Sequence, residues 1–371
     1  MPLNILFINS ITIYGGGEVW MITAAKELIK RGHSVTIVCR PASQLQKYAL
    51  QNKIPVISLK IRGDIDPVTI IKLSRIITKK SINIILTNMD KELRLSGIAS
   101  KISGRGKLVA RHGIDFPLKN KLHYRITYNY LTDSIIANSE ATKKTMLKNA
   151  PWINQNKINV IYNGINVNEF DIKVTYDLRK KVGIPESVPL IGFAGRLSVQ
   201  KGIKYLLEAF LLIRNSINGH LLISGTGELE NEIKDFIFKN KLQGFVHLLG
   251  FRDDINNVMK TIDLLVLPSL WEGFGIVLIE AMASGKPCIT TRISSMPEIV
   301  VDNISGIIVP PEDSFLLSEA CKKILTNKEL ANRMGAEGKR IVNEKFTIEK
   351  MTDNYERIFY ELSGRINHHH R

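Results

Sequence analysis

The sequence predicts an α/β protein built from two doubly wound, parallel-sheet domains. Three observations lead there. At 371 residues the chain exceeds what one hydrophobic core usually organises. Short apolar runs alternate with segments of helical periodicity, the pattern of strands joined by crossover helices. That rhythm breaks at a polar stretch, residues 168–188, and starts again at Leu190. Hydrophobic residues make up 44% of the chain and mean hydropathy is 0.00, so a soluble globular protein is expected. No apolar run reaches the length of a membrane span.

Residues 3–8 read as the first strand. Residues 19–30 follow as a helix with Ala24, Ala25, Leu28 and Ile29 on its apolar face, and Gly32 ends it. Residues 35–38, 84–86 and 135–137 are further strand-like runs in the first half. Beyond the polar stretch, strands are expected from Leu190 and over residues 220–223, 246–249 and 264–267. Residues 346–362 read as a closing helix.

Two strand-to-helix junctions in the second half carry the chemistry. The run 264–267 ends at Pro268 and Ser269, and Glu272-Gly273-Phe274-Gly275 then leads into the apolar helix Ile276-Val277-Leu278-Ile279-Glu280. Gly273 and Gly275 let the backbone approach a ligand, and a helix beginning near Gly275 aims unpaired N–H groups at it. Glu280 lies among apolar residues, where the hydroxyls of a bound ribose are a reasonable partner for its charge; a solvated Glu on an ordinary helix is the plainer alternative. The second junction runs from Gly192 through Gly195-Arg196-Leu197 to Lys201-Gly202. Ligands of open α/β sheets bind at the carboxyl ends of the strands, which puts Arg196 and Lys201 on the same rim as Glu272. A forked Arg and a point-charge Lys suit a diphosphate and can stabilise its departure without a metal. Surface cations with no role are the alternative.

Gly195-Arg196-Leu197 with Lys201-Gly202, and Glu272-Gly273-Phe274-Gly275 with Glu280, resemble the signature of retaining GT-B glycosyltransferases of family 4. The likeness covers nearly the whole chain, because Gly15-Gly16-Gly17, Val160-Ile161-Tyr162-Asn163-Gly164-Ile165, Gly225-Thr226-Gly227 and Gly306-Ile307-Ile308-Val309-Pro310 stand in that family's order. The resemblance implies a GT-B fold, two Rossmann-like domains facing a cleft. Residues 1–170 would bind the acceptor, residues 171–346 the nucleotide sugar, and a helix at about 347–364 would cross back to the first domain. It implies hexosyl transfer from a nucleotide-diphosphate sugar, a UDP-sugar ahead of a GDP-sugar, to a glycan or glycolipid in cell-surface polysaccharide or lipopolysaccharide synthesis, with retained anomeric configuration. Catalytic roles fall to Arg196, Lys201, Glu272 and His112. Donor contacts fall to Gly16, Gly17, Gly195, Gly225, Gly273, Phe274, Gly275, Ile276, Val277 and Glu280. No cofactor and no metal are expected, the nucleotide sugar being a substrate.

In the first half, Gly15-Gly16-Gly17 follows a strand as a phosphate loop would, but it is not Gly-x-Gly-x-x-Gly. Cys39-Arg40 also stands where a dinucleotide site needs an acidic residue, which disfavours a nucleotide-dependent oxidoreductase. By resemblance the loop approaches the donor phosphates and the acceptor, and Glu18 touches the latter; a tight strand-to-helix turn is the structural alternative. His112 follows Val109-Ala110-Arg111. By resemblance it lies near the donor sugar, bonding a hydroxyl or positioning the charge of an oxocarbenium-like transition state. A lone His is otherwise more often a surface or satisfied core residue. Asn138, at the end of the next run, is expected to border the acceptor. Asp64-Ile65-Asp66 matches the Asp-x-Asp of metal-dependent transferases, but it lies in a polar loop and is not read as a metal site. His368-His369-His370 is set aside as a tail.

Charge is divided unevenly. Residues 1–170 hold 25 Lys and Arg against 10 Asp and Glu, a net +15, whereas residues 171–371 hold 26 against 25, a net +1. Lys119, Lys121 and Arg125 are interleaved with Leu118, Leu122, Tyr124, Ile126, Tyr128 and Tyr130 over about three helical turns, a face suited to an anionic membrane surface or an anionic glycolipid. Nucleic acid would be attracted only non-specifically. A basic nucleic-acid- or membrane-binding protein without catalysis stays an alternative, as does a GT-B epimerase or phosphorylase. Cys39, Cys288 and Cys321 are too few and too distant for a disulfide framework or a zinc cluster. Residues 1–10 lack the marks of a signal peptide, so the cytoplasm, or the inner face of its membrane, is the expected location.

Overall fold

A computed structural model describes residues 1–11, 15–64, 66–171 and 178–365. The chain divides into two compact units, Met1–Gly164 with Ile348–Arg371, and Ile165–Thr347. Residues 165–170 therefore belong to the second unit. There the Ile165 N–H donates to the Phe346 carbonyl at 3.0 Å, and Ile165 bridges to Thr347.

The first unit holds seven strands: β1 (Asn4–Asn9), β2 (Ser34–Cys39), β3 (Val56–Ser58), β4 (Ile84–Thr87), β5 (Lys107–His112), β6 (Ser134–Ala137) and β7 (Ile158–Val160). All pair in parallel, in the order β3-β2-β1-β4-β5-β6-β7. Because side chains alternate across a strand, β1 feeds two cores. Leu3, Ile5 and Phe7 pack with Trp20, Met21 and Leu28 of the helix Gly16–Lys30. Leu6 and Ile8 pack on the other face with Ile70, Leu73 and Ile77 of the helix Pro67–Lys79. A sheet covered on both faces explains why its strands read as nearly unbroken apolar runs.

The helix Ile348–Ser363 closes this unit against Gly16–Lys30, placing Met351, Tyr355 and Phe359 in the first of those cores. Arg31 donates to Asp353 and Glu356, both at 2.6 Å. His33 Nδ1 accepts the Leu3 N–H at 3.0 Å, so its Nε2 carries the proton and donates to Glu356 at 2.6 Å.

Two polar features of the first half take structural work. Asp66 caps the helix Pro67–Lys79, accepting from the Thr69 N–H at 3.1 Å and the Thr69 hydroxyl at 2.7 Å. Asp64 pairs with Arg94 at 2.9 Å. The interleaved run 118–130 is not one exposed helix. It forms a loop, the short helix Leu122–Ile126 and a π-helical turn Thr127–Leu131, with Leu118, Tyr124 and Tyr128 buried. The Tyr128 hydroxyl donates to Asp90 at 2.6 Å, which turns that ring inward.

The second unit holds β8 (Leu190–Ala194), β9 (His220–Ser224), β10 (Val246–Gly250), β11 (Leu264–Leu267), β12 (Cys288–Thr291) and β13 (Gly306–Val309). These also pair in parallel, in the order β10-β9-β8-β11-β12-β13. The sequence reading named no strand at β3, β7, β12 or β13. The first two are three residues long, and β12 is half threonine, so periodicity had little to work with. The three cysteines are free and buried. Among the described residues no helix is long and apolar enough to cross a membrane.

Candidate functional site

Each sheet has one place where neighbouring strands connect in opposite directions: β1 beside β4, and β8 beside β11. Loops leaving their carboxyl ends diverge there and open a crevice, which is where open α/β sheets bind ligands. The residues singled out in the second half gather at the β8/β11 point.

The loops after β8, β9 and β11 are packed backbone to backbone. A Cβ on Gly225, whose φ is +144°, would lie 1.8 Å from the Gly195 carbonyl oxygen. One on Gly202, at φ +62°, would lie 2.0 Å from the Pro268 oxygen. The Leu270 N–H donates to Gln200 O at 2.8 Å, and Gln200 Nε2 donates to Trp271 O at 3.1 Å. The Arg196 loop and the Glu272 loop therefore form one clasp.

Within it, the Lys201 ammonium pairs with Glu272 Oε2. That carboxylate also accepts from Ser269 Oγ at 3.4 Å and from the Gly273 N–H at 3.1 Å. Arg196 stands exposed and, among the described residues, its guanidinium has no hydrogen bond or ion pair. The helix Ile276–Ala283 starts from Gly275 with no side chain capping it, so the first-turn N–H groups of Ile276 and Val277 are open to an anion. Phe274 is buried edge-on against Phe346, with ring centroids 5.9 Å apart, and so offers the site only its backbone.

Glu280 lies one turn further along, half-buried, its carboxylate without a hydrogen bond or ion pair among the described residues. Burial, then the Glu169 carboxylate, pushes its pKa up from 4.5 to about 7. A carboxyl raised in the folded state contributes stability that is complete below the unfolded value and fades as pH rises to about 7. The apo protein should lose about 3 kcal/mol from this group between pH 4.5 and 8, and Glu280→Gln should remove that loss in urea titrations.

Hydroxyls hold this clasp up in a way sequence reasoning missed. Thr290 Oγ1 donates to Leu267 O at 2.9 Å and Thr291 Oγ1 to Ser269 O at 2.5 Å. Ser295 Oγ donates to Phe274 O at 3.2 Å and Gly273 O at 3.3 Å. The available signal was a run of hydroxyl residues, Thr290-Thr291 and Ser294-Ser295, closing an apolar strand.

At the β1/β4 point the helix Gly16–Lys30 begins. Glu18 is buried and closes its first turn, accepting the Gly15 N–H at 2.9 Å and Asn9 Nδ2 at 2.7 Å. Its carboxylate therefore serves the fold at this end. Gly16 and Gly17 are different, since a Cβ at 16 would meet nothing within 4 Å and one at 17 only Asn88 Nδ2 at 3.7 Å. The fold does not require glycine there. Gly16→Ala should leave thermal stability within about 1 kcal/mol of wild type, yet lower turnover if a ligand must approach this backbone; a fully active variant would remove Gly16 from the site.

Sequence reasoning also passed over the end of β4. Thr87 Oγ1, both polar atoms of the Asn88 amide and Glu92 Oε2 are buried without a hydrogen-bond partner among the described residues. Glu92 Oε1 accepts the Ser10 N–H at 2.7 Å, and burial raises its pKa. Orphaned polar groups at a switch point suit ligand hydroxyls. The signal was the abrupt change from Ile84-Ile85-Leu86 to Thr87-Asn88.

His112 ends β5 and is half-buried; burial lowers its pKa, so the ring is neutral near pH 7. Nε2 lies 3.2 Å from the Phe116 carbonyl, which can only accept, so the neutral ring carries its proton there and leaves Nδ1 as an acceptor. Asn138 directly follows β6 and is buried. Its Nδ2 donates to Gly113 O at 3.2 Å and its Oδ1 accepts from Thr142 at 2.9 Å, so the amide is used in holding the β5 loop to the next helix.

Two doubly wound sheets, one carrying a cationic clasp at its switch point, define a protein of the GT-B fold. Residues 14–169 match the family model Glycosyltransferase Family 4, and residues 175–341 match Glycosyl transferases group 1. A glycosyltransferase of Methanocaldococcus jannaschii is 32% identical over 263 residues, covering 69% of this chain and 68% of that one. A second from that organism is 31% identical over 253 residues, and the match spans 66% of this chain and only 64% of its length. The Escherichia coli UDP-Gal:alpha-D-GlcNAc-diphosphoundecaprenol alpha-1,3-galactosyltransferase is 26% identical over 346 residues, 88% of this chain and 89% of that one. Among solved structures, a Rickettsia africae glycosyltransferase superposes with TM-score 0.87 at 25% identity, over 97% of this chain and 98% of that one. Anabaena Alr3699/HepE in complex with UDP gives 0.85 at 23% identity, over 97% and 100%. The chain belongs to the glycosyltransferases of group 1, family 4.

Proposed function

We propose that the protein moves a hexosyl group from a nucleoside-diphosphate sugar, a UDP-sugar ahead of a GDP-sugar, to a hydroxyl of a glycan or glycolipid. The observation that carries this is the clasp at the β8/β11 switch point, where an Arg196 unpaired among the described residues, the Lys201–Glu272 pair and an uncapped helix start converge on one crevice. Arg196 and Lys201 would take the diphosphate, together with the N–H groups of Ile276 and Val277. Lys201 has three donors, so it can hold Glu272 and a phosphate oxygen together. Glu272, fixed by Lys201, is placed to meet sugar hydroxyls, and Glu280 to accept from the ribose.

As the glycosidic bond breaks, negative charge grows on the leaving diphosphate. The cations and helix start stabilise that charge more than they stabilise the intact donor, which is where rate comes from. In this reading they do the work a metal does elsewhere, the anomeric configuration is retained and His112 lies near the donor sugar, as likeness to the family suggests. The orphaned Asn88 and Glu92 suit acceptor hydroxyls. The E. coli relative's name supports a UDP-sugar and a lipid-linked acceptor, and a capsular polysaccharide glycosyltransferase of Staphylococcus aureus, 26% identical over 350 residues, supports polysaccharide synthesis.

The test is a panel of UDP-, GDP- and ADP-sugars scored by thermal shift, followed by product analysis. A bound donor raises stability with its affinity, and transfer consumes donor productively only when an acceptor is present. Donor turnover to an epimer, or phosphate-dependent cleavage, would replace this reading with an epimerase or a phosphorylase.

A further inference from the structure

Strand β5 carries a buried cation that the donor-site reading leaves without a role. Arg111 is 5% exposed, and among the described residues its guanidinium forms no ion pair. It lies over the Trp20 ring, 3.9 Å from the centroid, and Nη2 donates to Asn163 Oδ1 at 2.9 Å. Burial lowers its pKa, against the opposing influence of Tyr355 and Glu18, which face it. Nε is buried without a hydrogen-bond partner among the described residues. Taking a charge out of water is costly, and an apolar side chain of similar length would fill this space without that cost. Stability alone therefore does not call for an arginine here.

The surroundings show what the guanidinium holds. Val109 packs in the core that contains Trp20 and Tyr355, and Ala110 in the other, so Arg111 and His112 fall on opposite faces of the sheet. Arg111 reaches His112 only through the backbone. A Cβ at Gly113 would lie 2.6 Å from Arg111 Nη1, although Gly113 does not stand at positive φ. Glycine is needed there to make room for the guanidinium, which packs against the first residue of the turn after His112. That turn is closed by His112 Nε2 on the Phe116 carbonyl, and Asn138 holds the Gly113 carbonyl. On its other side the guanidinium is anchored. Asn163 precedes Gly164, whose N–H donates to Met351 Sδ at 3.2 Å, and the Trp20 indole N–H donates to the same sulfur at 3.1 Å.

We propose that Arg111 is a positioning residue for His112: its guanidinium, pinned by Trp20 and Asn163, fixes the His112–Gly113 turn and so keeps the ring with Nε2 on the Phe116 carbonyl and Nδ1 left to accept. What Nδ1 meets rests on the donor-site reading. The ring's orientation does not, and it is measured without nucleotide sugar.

The imidazole nitrogen NMR shifts of the full chain are recorded at about pH 8, where the ring is neutral, with His112→Asn identifying its signals. Wild type is expected to show one tautomer, protonated at Nε2. Arg111→Met keeps the length and removes the charge, so it should melt within about 4 °C of wild type while His112 populates both tautomers. A folded Arg111→Met that keeps the single Nε2 tautomer overturns the proposal. If that variant folds poorly, Arg111→Lys decides, because the ammonium keeps the charge but lacks the fork that spans Asn163 and Gly113. Mixed tautomers in Arg111→Lys support the proposal, and a single Nε2 tautomer overturns it. Wild-type turnover of His112→Ala, with the donor selected by the nucleotide-sugar panel, would remove His112 from the donor-site reading and leave the NMR result standing. Where His112→Ala does lower turnover, Arg111→Met should lower it too, by about tenfold or more, and unchanged turnover there would overturn the proposal.

Discussion

Arg196→Ala and Lys201→Ala should each lower turnover by about a hundredfold or more, the size expected when one group that stabilises transition-state charge is removed. Their surroundings separate the two in stability. Arg196 is exposed and its guanidinium unpaired among the described residues, so its loss should leave the melting temperature nearly unchanged. Lys201 neutralises the buried Glu272, and removing it strands a carboxylate inside the clasp. That should cost about 3 kcal/mol, recovered in part by the double variant Lys201→Ala/Glu272→Gln. Turnover measured at saturating donor, beside a urea titration of each variant, checks both halves. Near-normal turnover in both single variants would remove the clasp from catalysis.

Gly225→Ala should destabilise the second unit by about 3 to 5 kcal/mol. A methyl at this position would sit 1.8 Å from the Gly195 carbonyl, and neither partner is a flexible side chain that can swing away. The backbone must move instead, and φ of +144° already disfavours any residue with a Cβ. Because Gly195 precedes Arg196, the movement would also displace the cations, so donor-induced thermal stabilisation should vanish with the fold. A variant that melts within 2 °C or so of wild type would show that the loops are not in contact, since about 3 kcal/mol corresponds to a drop of roughly 6 °C or more in a unit of this size.

The pH behaviour of Glu280 connects these results to the donor. Hydroxyls that donate to its carboxylate would favour the ionised form and lower the raised pKa, so donor binding would release a proton. Donor affinity would then increase as pH rises through about 7, opposite in sign to the stability of the apo protein.

Much of the clasp was legible in advance. Apolar runs ending in Gly195-Arg196 and in Pro268-Ser269 announced two strand ends, and Gly273 and Gly275 marked backbone that a ligand could approach. What could not be read was how the groups would be used. Glu18, expected to touch the acceptor, also closes a helix through Gly15 and Asn9. Asn138 is committed to Gly113 and Thr142. Tyr124 and Tyr128 looked like part of a docking face, yet only Leu122, Ile126 and Tyr130 remain outside, because a hydrogen bond to Asp90 selects the side of that short helix that faces in.

The sequence by itself determined the parallel two-sheet architecture, the glycine loops and the concentration of positive charge in the first half. Those follow from periodicity, backbone freedom and composition, each of which acts along a short stretch or over the chain as a whole. Tertiary structure alone decided that Lys201 would meet Glu272, 71 residues away, and that polar atoms of Thr87, Asn88 and Glu92 would be buried and unpaired among the described residues. Burial and hydrogen-bond geometry depend on strand order, and strand order brings together residues that no local pattern relates.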